Sequence, residues 1–169
     1  MLKYIDKNLI YIFIILTSVS LLRIYNLNYE SFWIDEILSF WIADPNLSLN
    51  QTIDRHNNLE QVPILFNFIL KYFFKIFEYN HLAGRYLTSF FNIFSLILCL
   101  ILISEITNNK KSVLFFSILI CFNIYLFKYS QELRVYSLLF LLTSLSSLYF
   151  VKITKNDSKF NYLLFFIFT

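Results

Sequence analysis

Long uncharged apolar runs dominate the chain and are spaced as in membrane proteins. About 20 apolar residues in a helix, at 1.5 Å rise per residue, cross the hydrocarbon layer of a bilayer. Four such runs and the start of a fifth predict spans at about 8–27, 84–105, 112–128, 134–151 and 160–169. The pattern therefore predicts an all-α, multi-pass transmembrane helical bundle.

Two further segments have the pattern of amphipathic helices that lie along a membrane surface. Residues 31–43 read SFWIDEILSFWIA, with acidic side chains between aromatic pairs. Residues 62–77 carry a polar stripe that recurs every four positions, formed by Asn67, Lys71 and Lys75. We expect both segments to be interfacial helices of the first outer loop. The alternative for 62–77 is a short span with snorkelling lysines.

Lysines predict the sidedness of the bundle, because loops rich in Lys and Arg stay on the cytoplasmic side. They precede the first span, join the second to the third, and join the fourth to the fifth: Lys3, Lys7, Lys110, Lys111, Lys152, Lys155 and Lys159. Residues 28–60 carry six acidic side chains against Arg55, so we expect this stretch outside. The N-terminus would be cytoplasmic, and the turn at 128–134 would share the outer face with the acidic stretch.

The last apolar run stops after ten residues, at Thr169. Since half a span has no partner, we expect residues 1–169 to be the N-terminal part of a single, longer transmembrane domain.

Composition narrows the classes of function. The chain is 58% hydrophobic and 15% charged, which is not the balance of a soluble protein. The net charge is +3 and the positive residues flank apolar runs, so we expect no nucleic-acid partner. Cys99 and Cys121 lie in apolar runs and are expected to be buried thiols. His56 and His81 are isolated, and we expect solvent exposure and no metal ligation.

Two groups of residues are candidates for chemistry. Carboxylates beside a membrane interface are costly unless they are used or paired, and Asp35 and Glu36 lie among four aromatic residues. They could supply a general base, or they could form the solvated face of a surface helix. Glu132, Arg134 and Tyr136 lie at the mouth of two spans. They could bind a substrate, or act as a helix cap and interfacial anchors.

The order of these motifs resembles one family of membrane enzymes. The matching parts are Trp33-Ile34-Asp35-Glu36, the apolar helix entered by Pro63, Gly84-Arg85-Tyr86, and YSQELRVYSL at 129–138. The arrangement is similar to the N-terminal third of the polyprenyl-phosphate-sugar-dependent glycosyltransferases of the C-type fold, such as protein mannosyltransferases and aminoarabinose transferases. The resemblance covers nearly all of the chain, and the tract at 129–138 is its most specific part.

The resemblance implies an enzyme of the plasma (inner) membrane. It would transfer a sugar from a polyprenyl-phosphate donor to a lipid, glycan or protein acceptor at the extracytoplasmic face. By the same resemblance Asp35, with Glu36 beside it, would be the catalytic base, and Arg85 and Arg134 would hold the lipid phosphate. Glu132 matches an acidic position of the same outer turn, and Tyr136 would contact the substrate.

Two points of the resemblance are less complete. Some relatives use a divalent cation, and Asp35 with Glu132 could offer oxygens for one, but two carboxylates alone do not define a metal site. Many relatives also have paired prolines at the start of the second interfacial helix. Here the stretch is Glu60-Gln61-Val62-Pro63, so no role is carried over to Gln61 or Val62.

The chemistry needs few groups, because a sugar on a polyprenyl phosphate already has a good leaving group. One carboxylate can deprotonate the acceptor hydroxyl, a contribution of about 10²–10⁴ in rate. Arginine suits the departing phosphate because its planar fork binds two oxygens and stays ionised. The lack of a closely spaced nucleophilic pair favours a single displacement with inversion.

Two other functions fit the same pattern. A non-catalytic membrane protein, such as a transporter subunit or scaffold, would line a path at the bilayer centre with polar residues. Here the charges lie at the ends of the spans, which favours an interfacial site. An inactive fragment of the transferase is the other alternative, because further spans would be missing, and we expect these 169 residues alone to be inactive.

Cysteine labelling tests the predicted sidedness. Single cysteines replace Asp35, His81, Lys110 and Glu132 in a chain whose native cysteines are changed to serine. A membrane-impermeant maleimide added from outside is expected to label all of these positions except 110. Labelling of 35 and 132 from opposite sides would remove the shared outer site.

Overall fold

The computed structural model describes residues 7–60, 62–107, 109–155 and 158–169. Lys3 and Gln61, named above, lie outside the described residues. Within these ranges the chain is helical and contains no strand. The all-α class is therefore confirmed. The helices are α1 (Lys7–Ile24), α2 (Ile34–Ile42), α3 (Leu49–Leu59), α4 (Leu65–Ile76), α5 (His81–Ile106), α6 (Lys110–Cys121), α7 (Ile124–Gln131), α8 (Tyr136–Lys155) and α9 (Lys159–Phe168).

Two helices of the described chain, α5 and α8, are long and apolar enough to cross a membrane. The pair α6 and α7 passes the same test only as one span bent by 52°. The apolar part of α1, Ile10–Ile24, is shorter, and so is α9. The described residues thus provide two or three candidate spans where the apolar runs predict five. For the run at 112–128 the difference arises because apolar residues continue across the end of one helix at Cys121 and the start of the next at Ile124.

The bend between α6 and α7 has a local cause. Asn123 caps the start of α7, and its Oδ1 accepts from two backbone amides of the first turn at 3.0 and 3.1 Å. The carbonyl of Cys121, at the end of α6, accepts from Arg23 Nη2 at 3.2 Å. Side chains that satisfy backbone groups at a break stabilise a kink. The run at 112–128 is therefore two helices and not one.

Arg23 joins three helices inside the protein. Its side chain is fully buried, and Nε donates to Asn92 Oδ1 of α5 at 2.9 Å. Val19, Leu96 and Cys121 form a small apolar core at the same contact of α1, α5 and α6. The polar contact and the apolar core together fix α1 against α5.

The main core lies where α2, α4, α5 and α8 meet. Its buried members are Ala43, Phe66, Leu70, Phe74, Leu87, Leu133, Val135 and Leu138. Gly84 permits the close approach at the start of α5, because a Cβ atom there would lie 2.6 Å from Leu133 Cδ1 and 3.2 Å from Phe74 Cζ. The beginning of α5 is consequently pressed against α4 and against the turn between α7 and α8.

The apolar pattern did not predict α3, although its start has a recognisable signal. Ser48 Oγ accepts from the Gln51 amide at 3.3 Å, and Gln51 Oε1 accepts from the Ser48 amide at 2.9 Å. This reciprocal pair is a capping box, which marks the beginning of a helix. The sequence pattern missed this helix because it is short and polar, so no apolar run indicates it.

The polar stripe of α4 faces inward and not toward water. Asn67 and Lys71 are fully buried, while Lys75 is exposed. Lys71 Nζ donates to the carbonyls of Asp44 and Leu47, both at 2.7 Å. A buried ammonium needs such acceptors, and the turn between α2 and α3 supplies them. The expected amphipathic helix is therefore present, with its polar face covered by the protein.

The outer face of α4 is largely apolar. Apart from Lys75, its exposed side chains are Leu65, Tyr72 and Ile76, and Phe77 follows its last turn. With 12 residues the helix is about 18 Å long, well short of the ~30 Å hydrocarbon layer. This length does not support the alternative of a short span.

Candidate functional site

Glu36 is a buried structural carboxylate. Only 1% of it is exposed, and its Oε1 accepts from Arg85 Nε at 2.9 Å and from the Leu133 amide at 2.6 Å. Its Oε2 accepts from Arg85 Nη2 at 2.6 Å and from the Trp33 amide at 3.2 Å. Glu36 thus ties α2 to α5 and to the turn before α8. Both oxygens are engaged, so the expectation that Glu36 assists as a catalytic group does not fit this geometry.

Arg85 uses all five of its N–H groups inside the protein. Nε and Nη2 each donate to Glu36, as described above. Nη1 donates to the carbonyls of Leu27 and Glu30 at 2.7 and 3.0 Å. Nη2 also donates to the Ser31 carbonyl at 3.3 Å. The side chain is 2% exposed. Its guanidinium is thus saturated within the protein, and the role expected for Arg85 in holding a lipid phosphate stays a prediction.

A polar cleft of about 180 Å³ lies beside this buried pair. The residues that line it are Trp33, Asp35, Glu36, Lys128, Tyr129, Glu132, Arg134 and Tyr136. Five of the six site residues expected from the sequence are among them, and Arg85 lies behind Glu36. Trp33 and Tyr129 belong to the quoted motifs and Lys128 precedes the last of them, but none of the three was expected to line the site. The structure thus brings residues of α2 together with those around the turn between α7 and α8.

Asp35 is the exposed acid of the cleft. Its side chain is 62% exposed, and Oδ2 lies 3.8 Å from Arg134 Nη2. Its neighbour Glu36 is buried, because successive positions on a helix point about 100° apart. Asp35 therefore keeps a carboxylate available to a molecule in the cleft.

Two guanidinium nitrogens of Arg134, Nε and Nη2, make no hydrogen bond among the described residues, although Nη2 lies 3.8 Å from Asp35 Oδ2. Nη1 donates to the Asp35 carbonyl at 3.1 Å and to Glu60 Oε1 at 3.0 Å. Nε is buried, and among the described residues no hydrogen-bond acceptor reaches it. The Nε–Nη2 edge can donate two parallel hydrogen bonds, as in arginine–phosphate and arginine–carboxylate pairs. A buried unpaired N–H is costly, so this edge favours an incoming acceptor.

Glu60 anchors the other side of Arg134 and was missed in the sequence. Its side chain is 5% exposed. Oε1 also accepts from Ser39 Oγ at 3.0 Å, and Oε2 accepts from Asn67 Nδ2 at 3.0 Å. The only sequence signal was an acid just before Pro63, which does not reveal a contact 74 positions away.

His56 belongs to the same buried network, which corrects the expectation of solvent exposure. It is 6% exposed, and its Nδ1 lies 2.9 Å from Asn67 Nδ2 and 3.9 Å from Glu60 Oε2. The histidine was misjudged because α4 covers it, and packing between separate helices is not visible in a local pattern. His81 is partly buried and contacts Asn28 Oδ1 at 3.1 Å.

Glu132 and Lys128 form a second charged pair at the cleft, with Nζ and Oε1 3.7 Å apart. Lys128 is half exposed, and its Nζ lies 5.2 Å from the centre of the Trp33 ring. Burial raises the pKa of Glu132. Glu36 and Glu30 add to this effect, and Lys128 and Arg134 oppose it. The cleft thus holds an acid that ionises less readily than an ordinary glutamate.

Aromatic side chains form part of the wall. The rings of Tyr129 and Tyr136 lie 4.7 Å apart, and Arg134 Cζ lies 5.8 Å from the centre of the Tyr136 ring. Tyr136 is 40% exposed, so its ring edge and hydroxyl reach the cleft. Flat aromatic surfaces beside polar groups suit a ligand that has both apolar and polar faces.

The donor set does not suit a divalent cation. In the described part of the chain no group of three or more His, Cys, Asp or Glu side chains converges into a possible metal site. Asp35 and Glu132 both line the cleft, but each already faces a cationic side chain. Calcium and magnesium sites need several free oxygen ligands, which these two carboxylates do not provide.

Two larger cavities contain no comparable chemistry. One of about 340 Å³ lies between α4 and α5, and one of about 240 Å³ lies beside the break between α6 and α7. Their linings are apolar: Phe73, Phe77, Tyr86, Leu87 and Phe90 for the first, and Val19, Leu22, Cys121, Phe122, Ile124 and Phe127 for the second. Charged groups that could act on a substrate therefore gather in the smaller cleft.

The buried pair is expected to dominate the stability of this region. Arg85→Met leaves the carboxylate of Glu36 buried without its counter-ion, which should lower the free energy of unfolding by about 3–5 kcal/mol. Reversible unfolding in detergent measures this loss. The double variant Glu36→Gln with Arg85→Met should recover part of it.

The matched control for this measurement is Glu105→Gln, which breaks the exposed ion pair with Lys155. Its cost should stay below about 1 kcal/mol. An Arg85→Met variant as stable as the control would show that the buried pair does not dominate the stability of this region.

The raised pKa of Glu132 predicts a pH-dependent stability. A carboxyl whose folded-state pKa lies above its unfolded value contributes stability at low pH and loses it as the pH rises through the folded value. Glu132→Gln should therefore match the parent protein at about pH 4 and unfold at a higher temperature by about pH 8. Thermal unfolding across this range measures the difference. A difference independent of pH would contradict the assignment.

Comparison with known proteins adds no assignment. No family model, no curated protein and no solved structure matched this chain. The geometry of the cleft is therefore the basis for its function.

Proposed function

We propose that the cleft transfers a sugar from a polyprenyl-phosphate donor to an acceptor at the extracytoplasmic face of the plasma (inner) membrane. One observation carries the proposal. The exposed carboxylate of Asp35 lines the cleft beside Arg134, whose Nε has no hydrogen-bond partner within the described residues and whose Nη2 lies 3.8 Å from Asp35 Oδ2. A base and a phosphate-binding fork are the two groups that this transfer requires.

Asp35 would act as the general base. The acceptor hydroxyl donates its proton to an Asp35 carboxylate oxygen as the hydroxyl oxygen attacks the anomeric carbon of the sugar. The bond between that carbon and the phosphate oxygen breaks, and its electron pair leaves with the phosphate. Attack opposite the leaving group inverts the anomeric configuration.

Arg134 would bind the phosphate before transfer and stabilise it as it leaves. Two hydrogen bonds from Nε and Nη2 match two phosphate oxygens, and the charge on the phosphate grows during the reaction. Lys128 adds a second positive charge at the rim of the cleft. The acids Asp35 and Glu132 balance these cations until the donor arrives.

The surroundings suit a lipid-linked donor. Of the two helices long and apolar enough to cross a membrane, α8 begins at Tyr136, which lines the cleft, and α5 carries Arg85 behind Glu36. The outer face of α4 is apolar except for Lys75, and Trp33, Ile37 and Trp41 are exposed at and along α2 beside Asp35. A polyprenyl tail can stay in the bilayer while its phosphate and sugar enter the cleft. The acceptor would be a lipid, glycan or protein.

The alternative of a transport path has less support from the described residues. The buried polar side chains of α5 make hydrogen bonds within the protein. Ser89 Oγ donates to the Ser130 carbonyl at 2.8 Å, and Asn92 Nδ2 donates to the Leu126 carbonyl at 3.1 Å. A transport path would need such groups to face an open channel. They serve instead to join α5 to α7.

The roles of Asp35 and Arg134 can be separated by experiment. In the chain reconstituted in lipid nanodiscs, undecaprenyl phosphate should bind, while undecaprenol, which lacks the phosphate, should not. Arg134→Lys keeps the charge but loses the fork, so it should weaken this binding by about 10–100-fold. Asp35→Asn should bind the lipid normally.

Transfer itself is measured on a preparation of the protein that transfers sugar from at least one member of a panel of undecaprenyl-phosphate sugars. Asp35→Asn should lower the transfer rate by about 10²–10⁴. Lys155→Ala, at the end of α8 opposite Tyr136, is the matched control and should behave as the parent protein. Near-normal transfer by Asp35→Asn, or equal binding of the phosphate and the alcohol, would refute the proposal.

A further inference from the structure

Arg134 has two acidic neighbours that differ in distance and exposure. Glu60 Oε1 lies 3.0 Å from Nη1, and the Glu60 side chain is 5% exposed. Asp35 Oδ2 lies 3.8 Å from Nη2, and the Asp35 side chain is 62% exposed. The guanidinium thus makes a hydrogen-bonded ion pair with the buried acid and a looser contact with the exposed one.

Glu60 is held rigidly by groups from two other helices. Ser39 of α2 donates to Oε1, and Asn67 of α4 donates to Oε2, each at 3.0 Å. Ser39 and Asn67 are themselves buried. A carboxylate fixed by two donors in a buried site offers Arg134 one defined position. The Asp35 carboxylate has more freedom because solvent surrounds most of it.

The charge of Glu60 also decides how strongly Arg134 attracts Asp35. A partly buried guanidinium is stable when a carboxylate compensates its charge. Without the negative charge of Glu60, the nearest carboxylate on the cleft side is Asp35, which could close the remaining gap to Nη2. A close pair would cover the edge that faces the cleft. It would also make Asp35 a weaker base, since a neighbouring cation favours the ionised form.

We propose that Glu60 is a positioning residue: it anchors Arg134 from behind so that the Nε–Nη2 edge and the Asp35 carboxylate both remain free for substrate. This inference rests on the proposed function and assigns a role to a residue outside the cleft lining. Glu60 touches no substrate. It acts through Arg134 by supplying the charge that Asp35 would otherwise have to supply.

Competition between two acids predicts an unusual rescue. Glu60→Gln keeps the shape of the side chain and removes its charge, so Arg134 should turn toward Asp35. Binding of undecaprenyl phosphate in nanodiscs should weaken about tenfold, within the range of coupling measured between contacting groups. Adding Asp35→Asn removes the competitor, so the double variant should bind within about twofold of Asp35→Asn alone. A residue that served only stability would not be rescued by a change at position 35.

The matched control is Glu78→Gln, an exposed acid between α4 and α5, which should leave binding unchanged. Ser39→Ala weakens the hold on Glu60 more gently. It should lower binding in the same direction and be rescued by Asp35→Asn. If thermal unfolding shows that Glu60→Gln does not fold, Ser39→Ala and its double variant with Asp35→Asn test the role of Glu60 instead.

The outcomes separate this inference from the proposed function. A parent chain that does not bind undecaprenyl phosphate, or that binds undecaprenol equally well, overturns the proposed function. A parent chain that binds the phosphate lipid while Glu60→Gln binds it equally overturns the role of Glu60 alone. Loss of binding without rescue by Asp35→Asn also overturns that role, because it would show a structural effect.

Discussion

The buried ion pair between Glu36 and Arg85 is the contact on which the cleft depends. Desolvating two charges is costly, and the cost is offset here because every N–H of Arg85 and both oxygens of Glu36 have partners. The pair fixes the first turn of α2 against α5. Through the Leu133 amide it also fixes the turn that carries Arg134. Asp35 directly precedes Glu36 on α2, so the ion pair of Glu36 with Arg85 also sets the direction in which the Asp35 side chain points.

The charged residues of the region form a buried set and an exposed set, and the two sets have different roles. Glu36, Arg85 and Glu60 are buried and hold helices and side chains in place. Asp35 is exposed to the cleft, and Arg134 belongs to both sets because Nη1 is anchored by Glu60 while Nη2 only approaches Asp35. Fixed charges around the cleft are preorganised.

The accuracy of the sequence-based predictions varied with the kind of signal. The long runs at 84–105 and 134–151 correspond closely to α5 and α8, because long apolar helices leave a strong pattern. The prediction of one span at 112–128 was wrong at Asn123. There a capping side chain interrupts the helical hydrogen bonds while the hydropathy of the run stays high. The short polar helix α3 was missed for the opposite reason, since its capping box is a weaker signal than an apolar run.

The sequence by itself determined the helical class, the apolar helices and the two motifs that meet at the cleft. Only the tertiary structure decided which acid of the adjacent pair Asp35 and Glu36 is available, and which arginine is open. The physical reason is that these differences come from partners far along the chain. Glu36 meets Arg85 across 49 positions, and Glu60 meets Arg134 across 74. Local patterns show that charged side chains are present, but burial and hydrogen-bond saturation are set by the helices that pack around them.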